Sequence, residues 1–366
     1  MKTKRIKKIG VLTGGGDCPG LNAVIRGVVM AAAEQGWEVT GFFDGYEGLL
    51  SPVRFRTLAP ADVDGIMPLG GTILGTVNRG RFAAKVGEGK KAAIPKEILA
   101  EARATCRKLG LDAVVCIGGD GSLSSALQLQ KAGVPVVGVP KTIDNDLSAT
   151  AITFGFPSAV EVVVDALDRL HTTARSHKRI MVVEVMGRHA GWIALQGGLA
   201  GRADAVLIPE IPYRMESLVR LIKQRQLEGF ESAMIVVAEG AKEKGRNLTT
   251  KSAALRGAGE VRLGGIGERL ASDLEAATGK EARCVVLGHL QRGGAPGALD
   301  RILGTRFGVG AVRLIEQRKF GQMVTYWNGR LGGVPIATAV GKLHTVDGRS
   351  EAVASARSVG ISFGDR

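Results

Sequence analysis

Cysteine is scarce in this chain and follows no pattern. Cys18, Cys106, Cys116 and Cys284 lie far apart, with none of the close pairs that zinc ligands need. They read as reduced thiols, so a disulfide scaffold is excluded and a cytoplasmic chain is expected. Aromatic residues make up only 4%, which argues against a base-stacking surface. No apolar run approaches the ~18 residues of a membrane span, so no membrane partner is expected. The basic start "MKTKRIKKIG" leads to a short apolar stretch that runs straight into glycines. It reads as a first strand, not a secretion signal. No short-period repeat and no low-complexity linker is present.

The 366 residues are 45% hydrophobic, enough for a packed core and long enough to favour two domains. Glycine is abundant, at 53 residues, without a collagen-like period. It must serve turns and close backbone approaches. The net charge is +14. A nucleic-acid binder is one explanation. A positive field that attracts phosphorylated small molecules is another. Lys and Arg are dispersed with no basic tail, and charge alone does not choose.

One pattern recurs: a short apolar run, a polar or glycine-rich loop, then an amphipathic segment. "KIGVL" leads to "TGGGDCPG", "DAVVCI" to "GGDGS", "VPVVGV" to "PKTIDND", and "RIMVVEV" to "MGRHAG". "DAVLI" leads to "PEIPY", "AMIVVA" to "EGAKEKG", and "RCVVLG" to "HLQRGG". Continuous apolar strands alternating with helices predict an α/β fold of mainly parallel sheets covered on both faces. Ligands in such sheets bind beyond the carboxyl ends of the strands, where all seven loops fall. A boundary near residue 155 would split the strands into two groups.

Several loops carry residues suited to phosphate chemistry, and each has a plainer explanation. "TGGGDCPG", with Gly15 and Gly16, could bring backbone amides to an anion at a helix N-terminus. It is neither a P-loop nor a dinucleotide fingerprint, and it could be a tight turn. "GGDGS" (Gly119, Asp120, Gly121, Ser122) could place Asp120 on Mg²⁺, or be a helix cap. "VPKTIDNDL" joins Lys141, Thr142, Asp144 and Asp146, while Asn and Asp also favour ordinary turns. Arg79, Arg179, Arg188, Arg283 and Arg292 could grip phosphate with their guanidinium groups, and several of them lie at or beside strand ends. Singly, each could be a solvated charge. His289 lies in a glycine-flanked loop and could be a ligand contact or a structural histidine.

Together these stretches resemble the 6-phosphofructokinase family. "GVLTGGGDCPGLNAVIRGVV", "GGTILG", "IGGDGS", "PKTIDND", "VVEVMGRHAG" and "VLGHLQRGG" occur in the family's order and near its spacing, over roughly residues 5–340. The resemblance implies two similar three-layer, doubly wound domains with the active site in the cleft between them. Residues 1–155 plus about 291–341 would bind the phosphoryl donor and Mg²⁺. Residues of about 156–290 plus 342–366 would bind fructose 6-phosphate. Family enzymes are homo-oligomers, so a dimer or tetramer with shared active sites is expected.

Position by position, the resemblance makes Asp144 the general base for the sugar 1-hydroxyl. Asp146 stands beside it, near the metal, and Thr142 contacts the transferring phosphoryl group. Asp120 becomes the Mg²⁺ ligand. Gly15, Gly16, Gly119, Gly121, Ser122 and Lys141 surround the donor phosphates. Met186, Gly187, Arg188, Glu239, His289 and Arg292 hold the sugar phosphate, and Arg179 and Arg283 reach it from the adjacent subunit. Arg79 stabilises the transferring phosphate, with Arg81 as its rival because "TVNRGR" carries an extra residue.

The donor signals are mixed. Gly121 is of the ATP type, whereas Lys141 is of the pyrophosphate type. Gly121 outweighs Lys141, because an aspartate there would crowd and repel the α-phosphate; ATP is therefore expected over pyrophosphate. At the family's effector site Arg26 matches, but Met30, His171 and Phe230 stand where cations are usual, and Asp204 where glutamate is. Rival explanations are a NAD or lipid kinase, or an inactive phosphate- or nucleic-acid-binding relative. The first leaves "PKTIDND" and "HLQRGG" unexplained. Against the second, every placed catalytic position holds competent chemistry.

Overall fold

The computed structural model describes residues 5–78, 80–82, 86–87, 90–91, 93–246 and 264–366. It opens with β1 (Lys8–Thr13), α1 (Leu21–Glu34), β2 (Glu38–Phe42) and β3 (Phe55–Leu58). A small ribbon of β4 (Val86–Gly87) and β5 (Lys90–Lys91) follows, then α2 (Lys96–Lys108) and β6 (Ala113–Gly118). Next come α3 (Asp120–Lys131), β7 (Val136–Thr142), β8 (Phe154–Gly155) and α4 (Phe156–His177). The middle holds β9 (Ile180–Val185), α5 (Trp192–Ala200), β10 (Ala205–Leu207), α6 (Met215–Leu227) and β11 (Ala233–Ala238). The last part runs α7 (Ile266–Thr278), β12 (Ala282–Val286), α8 (Ala298–Glu316), β13 (Gln322–Trp327), β14 (Arg330–Pro335), α9 (Ile336–Ala339) and α10 (Glu351–Ser358).

The chain packs as two compact units. The first takes residues 1–143, 147–158 and 292–343; the second takes 144–146, 159–291 and 344–366. All seven apolar runs form strands, and the fold is α/β with mainly parallel sheets.

In the first unit the strand order is β14-β13-β7-β6-β1-β2-β3, with β8 also pairing β7. The pairs are parallel except β13–β14 and β2–β3. Every residue of β6 is buried, as expected for a strand covered on both faces. Its core joins Leu12, Val114, Leu123 and Leu129 to Met323 and Ile336. Helices α1 and α8 cross closely there. A Cβ on Gly27 would lie 2.6 Å from the Thr305 carbonyl oxygen, so the crossing needs glycine. Asp300, at the start of α8, is fully buried. It accepts hydrogen bonds from the amides of Gly155 (2.7 Å) and Ser158 (2.8 Å) and from the Ser158 hydroxyl (2.6 Å). Three donors offset the cost of burying that carboxylate.

The second unit has a four-stranded, all-parallel sheet, ordered β10-β11-β9-β12. Its core gathers Ile180, Val182, Ile235 and Val237 from the sheet with Leu218, Ile222, Leu270 and Leu274 from α6 and α7. Burying each such side chain contributes roughly 1.5–3 kcal/mol.

One sequence expectation changes here. Pro140, Lys141 and Thr142 are not loop residues but the end of β7, because Lys141 and Thr142 pair with Phe154 and Gly155 of β8. Helix α1 starts at Leu21, with Gly20 as its cap residue. The buried Asn22 side chain instead donates to the Leu69 carbonyl (3.1 Å) and accepts from the Ile73 amide (2.9 Å). It thereby fixes the "GGTIL" loop.

Candidate active site

In the first unit β1, β6 and β7 end side by side, with Thr13 level with Ile117 and Gly118 level with Pro140. The Gly14 amide continues the pairing to the Ile117 carbonyl at 2.8 Å. Beyond these ends lie the glycine loop and the first turn of α3, which holds Asp120, Gly121 and Ser122. A Cβ on Gly118 would lie 2.3 Å from that of Ser122, so glycine is what lets the turn close over β6. Tyr46 holds the same turn by donating to the Ser122 carbonyl at 2.7 Å. The helix N-terminus has no side-chain cap, and its amides favour an anion.

Three side chains hold consecutive carbonyls of the glycine loop. Thr76 donates to Gly15 at 2.5 Å, Lys141 to Gly16, and Arg292 to Asp17 at 3.2 Å. Lys141 is only 4% exposed. Beside it, burial pushes the Cys18 thiol up to about 12, even against the Lys141 charge. Cys18 is therefore inert packing and not a nucleophile. Arg79 lies outside the described residues. Its rival Arg81 pairs with Glu47 at 3.0 Å and donates to the Ser51 carbonyl at 3.3 Å.

In the second unit β11, β9 and β12 end together. Ala238 is level with Val185, and Val286 with Glu184. These ends deliver Glu239, then Met186, Gly187 and Arg188, then His289. The Glu239 amide bonds the Val185 carbonyl at 2.9 Å, and the Gly240 amide bonds that of Gly187 at 3.1 Å. Gly187 has φ 136°, a conformation that other residues avoid. Arg188 and Glu239 are half-buried and His289 is exposed.

Asp144, Asn145 and Asp146 belong to this unit and are pinned by one residue. The His344 ring bonds the Asn145 carbonyl at 3.0 Å, and its amide bonds that of Asp146 at 2.8 Å. Trp192 packs on the His344 ring at 4.7 Å and donates to its carbonyl at 2.9 Å. Asn145 takes φ 51°, which asparagine tolerates. Burial alternates along the segment: Ile143, Asn145 and Leu147 are buried, whereas Thr142, Asp144 and Asp146 are half-buried.

Arg179 and Arg283 converge on one carboxylate. Arg179 Nε meets Glu281 at 2.5 Å, and Arg283 Nη2 bonds the other oxygen of the same group. Hydrogen bonding from Arg179 holds the Glu281 carboxyl below its usual range.

Sequence reasoning had overlooked Glu281, His344, Trp192 and Gln291. The last is fully buried and bridges the Met186 amide (3.2 Å) and the Gly288 carbonyl (3.0 Å). Gln291 lay inside the quoted "HLQRGG". His344 and Trp192 bond backbone carbonyls far away in sequence and carried no local signal, whereas Glu281 meets the guanidinium groups of Arg179 and Arg283.

The chain matches the phosphofructokinase family over residues 8–315. It is 50% identical over 359 residues to the ATP-dependent 6-phosphofructokinase of Chloroflexus aggregans, covering 98% of both chains. It is 47% identical over 359 residues to the pyrophosphate–fructose 6-phosphate 1-phosphotransferase of Streptomyces coelicolor, covering 98% of this chain and 100% of that protein. Among solved structures, Pichia pastoris phosphofructokinase in the T-state superposes with a TM-score of 0.80 at 30% identity. That match covers 98% of this chain and 37% of the yeast chain. On the match over residues 8–315 and the 50% identity over 98% of both chains, the chain belongs to the phosphofructokinase family.

Proposed function

We infer that this chain is a glycolytic kinase that phosphorylates fructose 6-phosphate at its 1-hydroxyl, using ATP. The carrying observation is the 50% identity, over 98% of both chains, to an ATP-dependent 6-phosphofructokinase. In the proposed step the sugar 1-oxygen bonds to the γ-phosphorus and the bond to the ADP oxygen breaks. Asp144 takes the hydroxyl proton. Phosphoryl transfer of this kind depends mainly on positioning and charge stabilisation. Thr142, Arg188 and Arg79 would stabilise the moving phosphoryl group, with Asp146 beside the base.

Gly15, Gly16, Gly119, Gly121 and Ser122 would surround the donor phosphates. Magnesium fits this arrangement. Among the described residues no three of His, Cys, Asp and Glu form a metal cage. Magnesium on a nucleotide needs only one or two carboxylates, the rest coming from phosphates and water. Asp120, in the first turn of α3, would hold it, and the ion would neutralise phosphate charge. Met186, Gly187, Arg188, Glu239, His289 and Arg292 would hold the sugar phosphate. No described helix is long and apolar enough to cross a membrane, and we place the enzyme in the cytoplasm.

A coupled assay with fructose 6-phosphate, Mg²⁺ and either ATP or pyrophosphate tests this directly. Turnover with neither donor would sink it. Pyrophosphate as main donor is the second reading, supported by the Streptomyces coelicolor relative.

The enzyme is proposed to be a homo-oligomer, dimer or tetramer, in which Arg179 and Arg283 reach a neighbour's sugar phosphate. Each Ala variant should then raise the KM for fructose 6-phosphate, and leave that for ATP nearly unchanged. Loss of a charge-assisted contact is worth about 1.5–3 kcal/mol. Mixing Arg179→Ala with Asp144→Asn subunits should restore part of the activity, because the second lends arginines to a site whose base is intact. Equal damage to the ATP KM would count against the assignment.

Three of the positions compared with the family's effector site, Asp204, Phe230 and His171, are already engaged by other residues of this chain. Asp204 pairs with Arg225 at 2.7 Å and accepts from the Met234 amide at 2.7 Å. Arg225 covers the Phe230 ring at 4.8 Å, and His171 bonds the Gly201 carbonyl at 2.9 Å. ADP and phosphoenolpyruvate are therefore expected to leave the fructose 6-phosphate saturation curve almost unmoved. A large shift by phosphoenolpyruvate, beyond competition at the active site, would overturn this.

A further inference from the structure

Lys141 has an environment that its presumed role does not explain. A lysine that contacts the donor phosphate should present its ammonium to the ligand. Here the side chain is 4% exposed and its Nζ donates to the Gly16 carbonyl. Nζ also lies 3.5 Å from the point a Cβ on Gly15 would occupy. The ammonium is thus packed against the backbone of the glycine loop.

Its neighbours do the same work on the adjacent peptides. Thr76 takes the Gly15 carbonyl and Arg292 the Asp17 carbonyl. Arg292 lies against the loop as well, with Nη1 2.9 Å from the position of a Cβ on Gly16. A trans peptide is planar and holds its N–H antiparallel to its C=O. Fixing the carbonyls of residues 15, 16 and 17 therefore fixes the directions of the amides of 16, 17 and 18. Left alone, a glycine-rich loop samples many such directions, since glycine has the widest conformational range. Amides of a loop entering a helix are the groups that receive an anion.

We infer that Lys141 is a positioning residue, which locks the glycine loop before any donor arrives and does not select between donors. This rests on the proposed phosphoryl-donor role of the loop. It explains how a lysine of the pyrophosphate type serves beside an ATP-type Gly121: its partner is the backbone of the loop that either donor would use.

The test is hydrogen exchange on the ligand-free protein, read on the peptide spanning Thr13–Leu21. Lys141→Met keeps the length of the side chain and removes the donor. It should speed exchange of this segment by about tenfold or more through easier local opening. It should also raise the ATP KM, leaving that for fructose 6-phosphate near wild type. Lys141→Arg, which keeps a donor at that place, should restore most of the protection. It also covers the case in which the Met variant fails to fold. If exchange in the ligand-free Met variant matches wild type and only the ATP-bound protein differs, Lys141 is a phosphate contact and the inference is wrong. The same holds if the Arg variant folds but restores no protection. A wild type that shows the exchange pattern but no turnover with ATP would sink the kinase assignment and leave the loop lock standing.

Discussion

Asp144→Asn is expected to leave the protein folded and able to bind both substrates, with turnover cut by about 10²–10⁴-fold, the usual scale for a lost general base. The change is nearly isosteric and removes only the proton acceptor. The surroundings tolerate it, because the chain around Asp144 is held through backbone atoms. His344 grips the carbonyls of Asn145 and Asp146, and Trp192 backs His344. None of these contacts uses the Asp144 carboxylate. The measurement is kcat at saturating fructose 6-phosphate and ATP, beside both KM values. Near-normal kcat would show that Asp144 is not the base.

Gly121→Asp should have the other large effect, and it concerns the donor. Gly121 is the second residue of α3. An aspartate in a first helical turn suits the helix dipole and loses the entropic cost of glycine, so the fold should survive. The carboxylate would face the α-phosphate of ATP. Two like charges about 4 Å apart cost about 4 kcal/mol at an effective dielectric near 20, close to a thousandfold in activity. Pyrophosphate lacks that phosphate, so the variant should gain relative activity with it. The deciding comparison is kcat/KM for both donors on wild type and variant. A wild type that prefers pyrophosphate would show that Gly121 does not set the donor.

The strands legible in the sequence were those buried on both faces. Continuous runs such as "AVVCIG" and "AMIVVA" have no solvent side and so no polar alternation. The strands that escaped notice, β2, β3, β13 and β14, flank them. The two antiparallel pairs of that sheet lie there, and polar residues such as Glu38, Arg56, Gln322 and Arg330 break the apolar runs. The candidate loops were legible for the same reason as the buried strands, since each follows one directly. The bracing was not. His344 reaches Asn145 across 199 residues and Lys141 reaches Gly16 across 125, each by a single side chain bonded to a carbonyl. Such a bond leaves no period in the sequence and can be found only once the chain is folded.

The buried Asp300 clasp has a consequence for the order in which the protein can be made. Its partners at Gly155 and Ser158 precede it by 145 and 142 residues. Strand β7 likewise waits for β13 as its parallel neighbour, and α1 for α8. At synthesis rates of ~5–20 residues per second, the clasp cannot close until about 7–30 s after Gly155 is made. Most of the second unit, residues 159–291, is synthesised within that interval. The half of the protein that begins first is therefore completed late, with β7 paired to β6 and β8 but lacking β13 along its other edge in the meantime. Unpaired strand edges are where chains aggregate. A ribosome stalled near residue 290 would expose that edge, and would be the nascent species most in need of a chaperone.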